Sequence, residues 1–347
     1  MTTSHDYPYS NKTAYGIEND AIRYAWAGYF LFVLISSLVG DSTILIASLK
    51  YRAFNLHKVM VVIIQHRAFC DLMVTTTNVI PLFVSLISNE WVIGKLLCCL
   101  TVYLGYYFNT VSLLLICNMT TSKLLILKYP FRMRKMSVKN THMICRAFWL
   151  AALIIPVTAF LVATLDGQDI IYFSYRIYRC DFHFRSDIWN WLWPFLSVTF
   201  LFIPNCMVIA TTIYLLIIAK KVAGRGRESL KWQGIVTTVL TATVYCISIL
   251  PYFVYTVGES IVTADNKSSN FFETTFHRIG SSFLYLNTIS NFYVYSLSVY
   301  SFRDFIRSRM QQAYQIFTVF GTSASHGTKK IVFRSTLKKY FTISEDF

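Results

Sequence analysis

Seven runs of mostly apolar residues, 25–49, 59–88, 98–127, 143–165, 188–219, 232–262 and 276–300, are each long enough to cross a bilayer. A hydrocarbon core of about 30 Å takes about 20 residues of α-helix. In lipid, every backbone polar group must find its partner within the protein, which favours helices. Composition agrees: 55% of the residues are hydrophobic and 14% charged, against about 25% charged in ordinary soluble domains. The expected fold is all-α, a polytopic membrane protein built as a seven-transmembrane helix bundle. Residues 1–24 form a polar tail, 25–300 the bundle, 301–317 a short amphipathic helix on the membrane surface, and 318–347 a basic tail.

Seven crossings place the two ends on opposite sides. Lys and Arg in short loops favour the cytoplasm. With the N-terminus outside, most of the 32 Lys and Arg become cytoplasmic and most of the 17 acids external. The net charge of +15 is therefore read as a topology signal. The basic residues border helices and form no contiguous basic domain, so no nucleic-acid partner is expected. The chain is expected in the plasma membrane, with Asn11 and Asn266 as glycan acceptors on the external side. No short apolar segment with a small-residue cleavage site precedes residue 25, so the first helix is expected to act as its own signal. From Ser301 to Met310, apolar and basic residues fall at helical spacing, as in a helix lying on the inner membrane face. No cysteine follows Cys246, so this helix would rely on anionic lipid, as would Lys329, Lys330, Arg334, Lys338 and Lys339 unless that last cluster is a solvated tail.

Six of the eight cysteines fall in or beside helices and read as small apolar side chains. Cys98 and Cys180 differ, because one opens the third run and the other sits in the largest external loop, on the oxidising side. A disulfide is expected between them, with Cys99 as the competing partner. Residues 171–180 partly alternate apolar and polar, a weak hairpin signal suited to a lid. The seven histidines are scattered without metal-ligand spacing, so an enzyme is not expected. The absence of an internal repeat argues against a transporter.

Trp91-Val92-Ile93-Gly94-Lys95-Leu96-Leu97-Cys98 resembles the Trp-x-x-Gly-x-x-x-Cys stretch that opens helix three of rhodopsin-like (class A) G-protein-coupled receptors. Cys180 stands where those receptors carry their second-loop cysteine. In the same register, Gly40-Asp41 is similar to the Gly-Asn of helix one, Ala68-x-x-Asp71-Leu72 to the Ala-x-x-Asp-Leu of helix two, and Tyr129-Pro130-Phe131 to His-Pro-Leu. Trp149 and Pro204 match the tryptophan of helix four and the proline of helix five. Ser248-Ile249-Leu250-Pro251-Tyr252 resembles Cys-Trp-x-Pro-Tyr, and Asn291-Phe292-Tyr293-Val294-Tyr295 resembles Asn-Pro-x-x-Tyr. The chain is identified as a divergent member of this family. The resemblance implies a cell-surface receptor that transmits binding of an extracellular ligand to a heterotrimeric G protein.

The departures bear on mechanism. Ser122-Lys123-Leu124 stands where the family has Asp-Arg-Tyr, and Lys231 where helix six often carries a glutamate. Ile249 replaces a tryptophan, Phe292 a proline and Thr212 a tyrosine. Two readings of Lys123 follow: a positive contact for a cytoplasmic partner with no inactive-state clamp, or a helix-end lysine snorkelling to headgroups. The G-protein interface implied by the resemblance comprises Ser122, Lys123, Pro130, Lys231 and Tyr295. The alternative function is a seven-helix chemosensor, decoy or scaffold that does not couple through G protein.

Ionisable residues at membrane depth are costly unless functional or paired. The family's sodium site maps onto Asp71, Ser112, Asn287 and Asn291. Arg67 lies four residues before Asp71 and can meet it on one helix face. Three readings stay open: a sodium ion, an Arg67–Asp71 pair, or a structural network of Asp41, Arg67 and Asp71. By register the ligand pocket is lined by Gly105, Tyr106, Asn109, Tyr252, Tyr255, Ser281, Ser282 and Tyr285. Gly105 stands where aminergic receptors place their aspartate, and Tyr285 where opsins carry the retinal lysine, which disfavours an amine and a photoreceptor. A peptide is the favoured ligand; no cofactor beyond the sodium ion is expected.

Overall fold

The computed structural model describes residues 20–49, 56–166, 171–175, 177–182, 187–223, 230–262 and 270–323. Helix α1 spans Asp20–Leu49. Helix α2, Lys58–Ser88, starts at His57, whose ring accepts a hydrogen bond from the Val59 amide at 3.4 Å. It widens into one π turn at Thr75–Val79, resumes as Ile80–Ser88, and ends at Asn89 in the left-handed region (φ 57°). Asn is among the few residues that tolerate that conformation.

Helix α3, Lys95–Lys128, follows Gly94, whose φ of 93° suits glycine. A helical turn, Pro130–Arg134, opens on the proline, where a missing N–H is harmless. Ser137 then caps α4, accepting from the Asn140 amide at 3.1 Å. Helix α4 runs as Val138–Ala151 and Ile154–Asp166. Strands β1 (Ile171–Ser174) and β2 (Arg179–Phe182) form an antiparallel hairpin in which Phe173 faces Cys180 and Tyr172 faces Asp181. Helices α5 (Asp187–Ala223), α6 (Leu230–Val262) and α7 (Asn270–Ser298) complete the bundle, and α8 (Tyr300–Ser323) follows.

Most of the helices overrun the apolar runs by a few residues, because capping side chains and interface residues extend a helix past the hydrocarbon. Five described helices, α1 to α4 and Trp232–Tyr252 of α6, are long and apolar enough to cross a membrane. Helix α7 is more polar because it carries Asn287, Asn291 and several serines.

The largest core cluster joins Phe30 and Val33 of α1, Val62, Ile63 and Val74 of α2, Phe108, Val111 and Leu115 of α3, and Tyr285 and Ile289 of α7. A second cluster, at the end carrying α8, packs Ile44, Val61 and Ile64 against Tyr295, Val299 and Phe302. Val39, Leu150, Ile247 and Leu250 point outward. In water such a surface would be a liability; in a bilayer it meets its own solvent.

Candidate functional site

At one end the hairpin closes the bundle. A Cys98–Cys180 disulfide, Cα to Cα 5.5 Å, ties β2 to the first turn of α3, while Cys99 is free. Tyr178, at the hairpin turn with φ 53°, is 1% exposed and sits in the main core cluster. A bulky residue in that conformation needs compensation. Its hydroxyl donates to Asn89 Oδ1 at 3.0 Å, and the Arg278 guanidinium lies 5.8 Å from its ring centre.

Beneath the turn, β2 turns Arg179 and Asp181 toward the bundle. Arg179 Nη1 donates to the Tyr285 hydroxyl at 3.3 Å, and Arg179 Nη2 lies 3.7 Å from Asp181 Oδ2. Asp181 Oδ1 accepts from the Phe182 amide at 2.8 Å and from the Tyr106 hydroxyl at 3.3 Å. Burial disfavours the Arg179 charge, but Tyr285, Asp181, Tyr252 and Tyr106 outweigh it and leave the guanidinium more basic than usual. Tyr106 also stacks at 5.4 Å on Phe182.

Of the residues assigned to the pocket, Tyr106 and Tyr285 thus converge on the hairpin. Asn109 turns back to donate to the Gly105 carbonyl at 2.8 Å, and the Ser282 hydroxyl donates to the Arg278 carbonyl at 2.7 Å. The Ser282 carbonyl accepts from Tyr29 of α1 at 2.9 Å. Ser281 is buried, and Tyr252 is partly buried on α6. The side chain of Tyr255 lies outside the described residues, as do Asn11 and Asn266. Sequence reasoning missed Arg179 and Asn78 as members of the site. A Cβ at Gly105 would stand 2.5 Å from Asn78 Oδ1, so Asn78 fills the space an aminergic aspartate would need. The signal available for Arg179 was an arginine beside the loop cysteine in an aromatic stretch, which Arg176 and Arg185 of the same loop share in part.

Midway along the bundle, Arg67 and Asp71 are each 1% exposed, with Nε 3.5 Å from Asp71 Oδ2. Arg67 Nη2 donates to Asn287 Oδ1 at 2.8 Å, Asn291 donates to Asp71 Oδ2 at 2.6 Å, and Ser112 donates to Asp71 Oδ1 at 3.4 Å. The four residues mapped to a sodium site are therefore together, with a guanidinium among them. Two of the oxygens a cation would need, on Asp71 and Asn287, already face Arg67, so the set fits that arginine better than a free ion. Asp41 accepts from Ser37 at 2.6 Å, and Ser37 in turn meets Thr75 at 2.6 Å. Asp41 is thus linked to the π turn by hydroxyls, alongside the arginine pair.

At the basic end, Ser122 donates to Asn118 at 3.1 Å. Lys123 is 5% exposed and folds against α6, where a methyl group at Gly234 would run into its ammonium. This is neither an open contact nor a side chain reaching for headgroups: the missing Cβ of Gly234 makes a socket. Tyr295 is buried, Pro130 is exposed, and the Lys231 side chain lies outside the described residues. Thr237 meets Ser298 at 2.8 Å, joining α6 to α7, and Thr211 donates to Thr120 at 2.9 Å, joining α5 to α3. A hollow of about 380 Å³ is lined by Leu125, Tyr129, Arg132, Met133, Lys135 and Met136.

A helix bundle with a disulfide-pinned lid at one end and a basic rim at the other has the form of a seven-helix membrane receptor. Residues 40–295 match the family described as 7 transmembrane receptor (rhodopsin family), and the chain belongs to it. It is also similar to a Caenorhabditis elegans protein described as Dopamine receptor 2, 24% identical over 192 residues, which cover 54% of this chain and 22% of that protein. The match thus spans about a fifth of the relative's length.

Proposed function

We propose that the chain is a plasma-membrane receptor, N-terminus outside, that binds an extracellular peptide under the hairpin and passes the signal to a heterotrimeric G protein at the basic end. The observation that carries this reading is the hairpin itself. Pinned by Cys98–Cys180, it sets Arg179, Asp181 and Tyr178 over Tyr106 and Tyr285, giving a mouth of aromatic and hydrogen-bonding groups. Such a lining suits a ligand of mixed polarity. The relative's name points to an amine, but Gly105 offers no carboxylate and Asn78 occupies its place.

A second reading rests on Lys123. Tucked under α6 at Gly234, with Ser122 turned to Asn118, it leaves the position of the family's helix-three arginine without an exposed cation for a partner to grip. On that reading the receptor acts as a decoy or scaffold. Surface expression with a peptide library and a panel of G proteins separates the two. Peptide-dependent recruitment of any G protein supports coupling. Peptide binding without recruitment, while a Ser122→Asp, Lys123→Arg chimera does recruit, supports the decoy. We further assign the central cation position to Arg67 in place of sodium, and attachment of α8 to anionic lipid through Arg303, Arg307 and Arg309.

A further inference from the structure

We propose that the polar cluster under the hairpin receives a ligand carrying a carboxylate, which docks on Arg179 with Tyr106 and Tyr285 and takes over the position held by Asp181. This deepens the reading above, on which it rests, by naming the chemistry the ligand presents.

Arg179 and Asp181 are two apart on β2 and share a face of the strand. Their ion pair is loose, because 3.7 Å from Nη2 to Oδ2 is too long for a hydrogen bond. The carboxylate cannot close on the guanidinium because its other oxygen is held by the Phe182 amide and the Tyr106 hydroxyl. Five N–H donors in a rigid fork match a carboxylate in bidentate fashion. Asp181 engages that fork on one side only, and Tyr285 takes one further donor. The Arg179 side chain is 20% exposed and that of Asp181 28%, sheltered from bulk water yet reachable from the mouth.

The surroundings favour an anion. Arg278 stands at the same mouth, donating to the Tyr175 carbonyl at 3.2 Å. The Tyr285 hydroxyl accepts from the guanidinium and the Tyr106 hydroxyl donates to Asp181, so both can donate to an oxygen that takes the place of Asp181. The place where a cationic ligand would find a carboxylate on α3 is Gly105, closed by Asn78. Asp181 thus acts as an internal stand-in that a better-placed carboxylate displaces.

The test uses the purified full chain in lipid nanodiscs and probes differing in one group: the tetrapeptide Gly-Tyr-Phe-Leu as free acid and as C-terminal amide, and N-acetylphenylalanine with its amide. Binding is read by thermal shift and ligand-observed NMR, with no G protein present. The acids are expected to bind roughly tenfold more tightly than their amides, the scale of one charge-assisted hydrogen bond. Arg179→Gln should erase that preference and Asp181→Asn should tighten acid binding by removing the stand-in. A preference shared by the single amino acid assigns a small organic acid, and one confined to the tetrapeptide assigns a peptide C-terminus; both support the proposal. Equal or absent binding of acid and amide to wild type, or an undiminished preference in Arg179→Gln, overturns it. Loss of G-protein recruitment in cells leaves this result untouched. A peptide that activates Arg179→Gln as well as wild type would overturn the carboxylate site and keep the receptor.

Discussion

The proposed assignment of the central cation position turns on a single side chain, Arg67. Its partner Asp71 is equally buried, and removing one member of such a pair leaves an uncompensated charge, a loss of about 3–5 kcal/mol. Arg67→Ala should therefore melt well below wild type in a thermal assay and reach the surface poorly. Wild type should melt at the same temperature in sodium chloride as in N-methylglucamine chloride, whereas Arg67→Ala, with Asp71 freed, should gain stability from sodium. A sodium effect in wild type would restore the ion to the site. Gly105 makes a second test at this scale. Adding a methyl group 2.5 Å from Asn78 Oδ1 forces the amide aside. Gly105→Ala is expected to destabilise the chain by about 1–3 kcal/mol, and Asn78→Ala in the same chain should recover most of it. Undiminished melting of the single variant would show that Asn78 moves freely.

Helices and strands differed in how far the sequence disclosed them. The spans were legible because about 20 apolar residues in lipid have few alternatives to a helix. Among the described residues five of them are recovered on length and composition alone, α5 contributes the shorter apolar stretch Phe202–Ile218, and the asparagines and serines of α7 make it too polar to count. The hairpin was only weakly signalled, since four-residue strands carry little periodicity. Which face of β2 looks inward depends on the disulfide, so the reach of Arg179 to Tyr285 was invisible. The burial of Lys123 was hidden for a related reason: helix-end lysines usually run outward, and the socket is a glycine on another helix, 111 positions further along at Gly234. Helix α8 was legible as amphipathic, and its anchor is Phe302, fully buried and edge-on to Phe292 at 6.2 Å and Tyr295 at 6.4 Å. Phe302→Ala should cost about 3–5 kcal/mol of packing. Release of α8 would show as a rise in amide hydrogen exchange over Tyr300–Ser323, and unchanged exchange would mean that the membrane alone holds it.

For the molecule as a whole, orientation and resting state are the properties at stake. An antibody epitope placed within residues 1–24 should be reachable on intact cells; if permeabilisation is needed, the proposed receptor orientation is inverted. Lys231 lies by register near the basic end of α6, where the family often has an acid, so the sequence offers Lys123 no acidic partner at that position. Basal second-messenger output should be elevated in wild type. Lys231→Glu, by turning repulsion into about 1 kcal/mol of attraction to Lys123, should lower it about fivefold; no drop would mean that the socket at Gly234 already holds the resting state.

The widened winding at Thr75–Val79 also affects comparison with relatives. One surplus residue is absorbed there, so everything above it on α2, from Ile80 to Ser88, is displaced by one place relative to a uniformly wound helix. Position-by-position counting from Asp71 toward the mouth is therefore offset by one beyond Val79, and deleting a single residue from this segment would restore uniform winding and leave Leu82 and Leu86 facing the core.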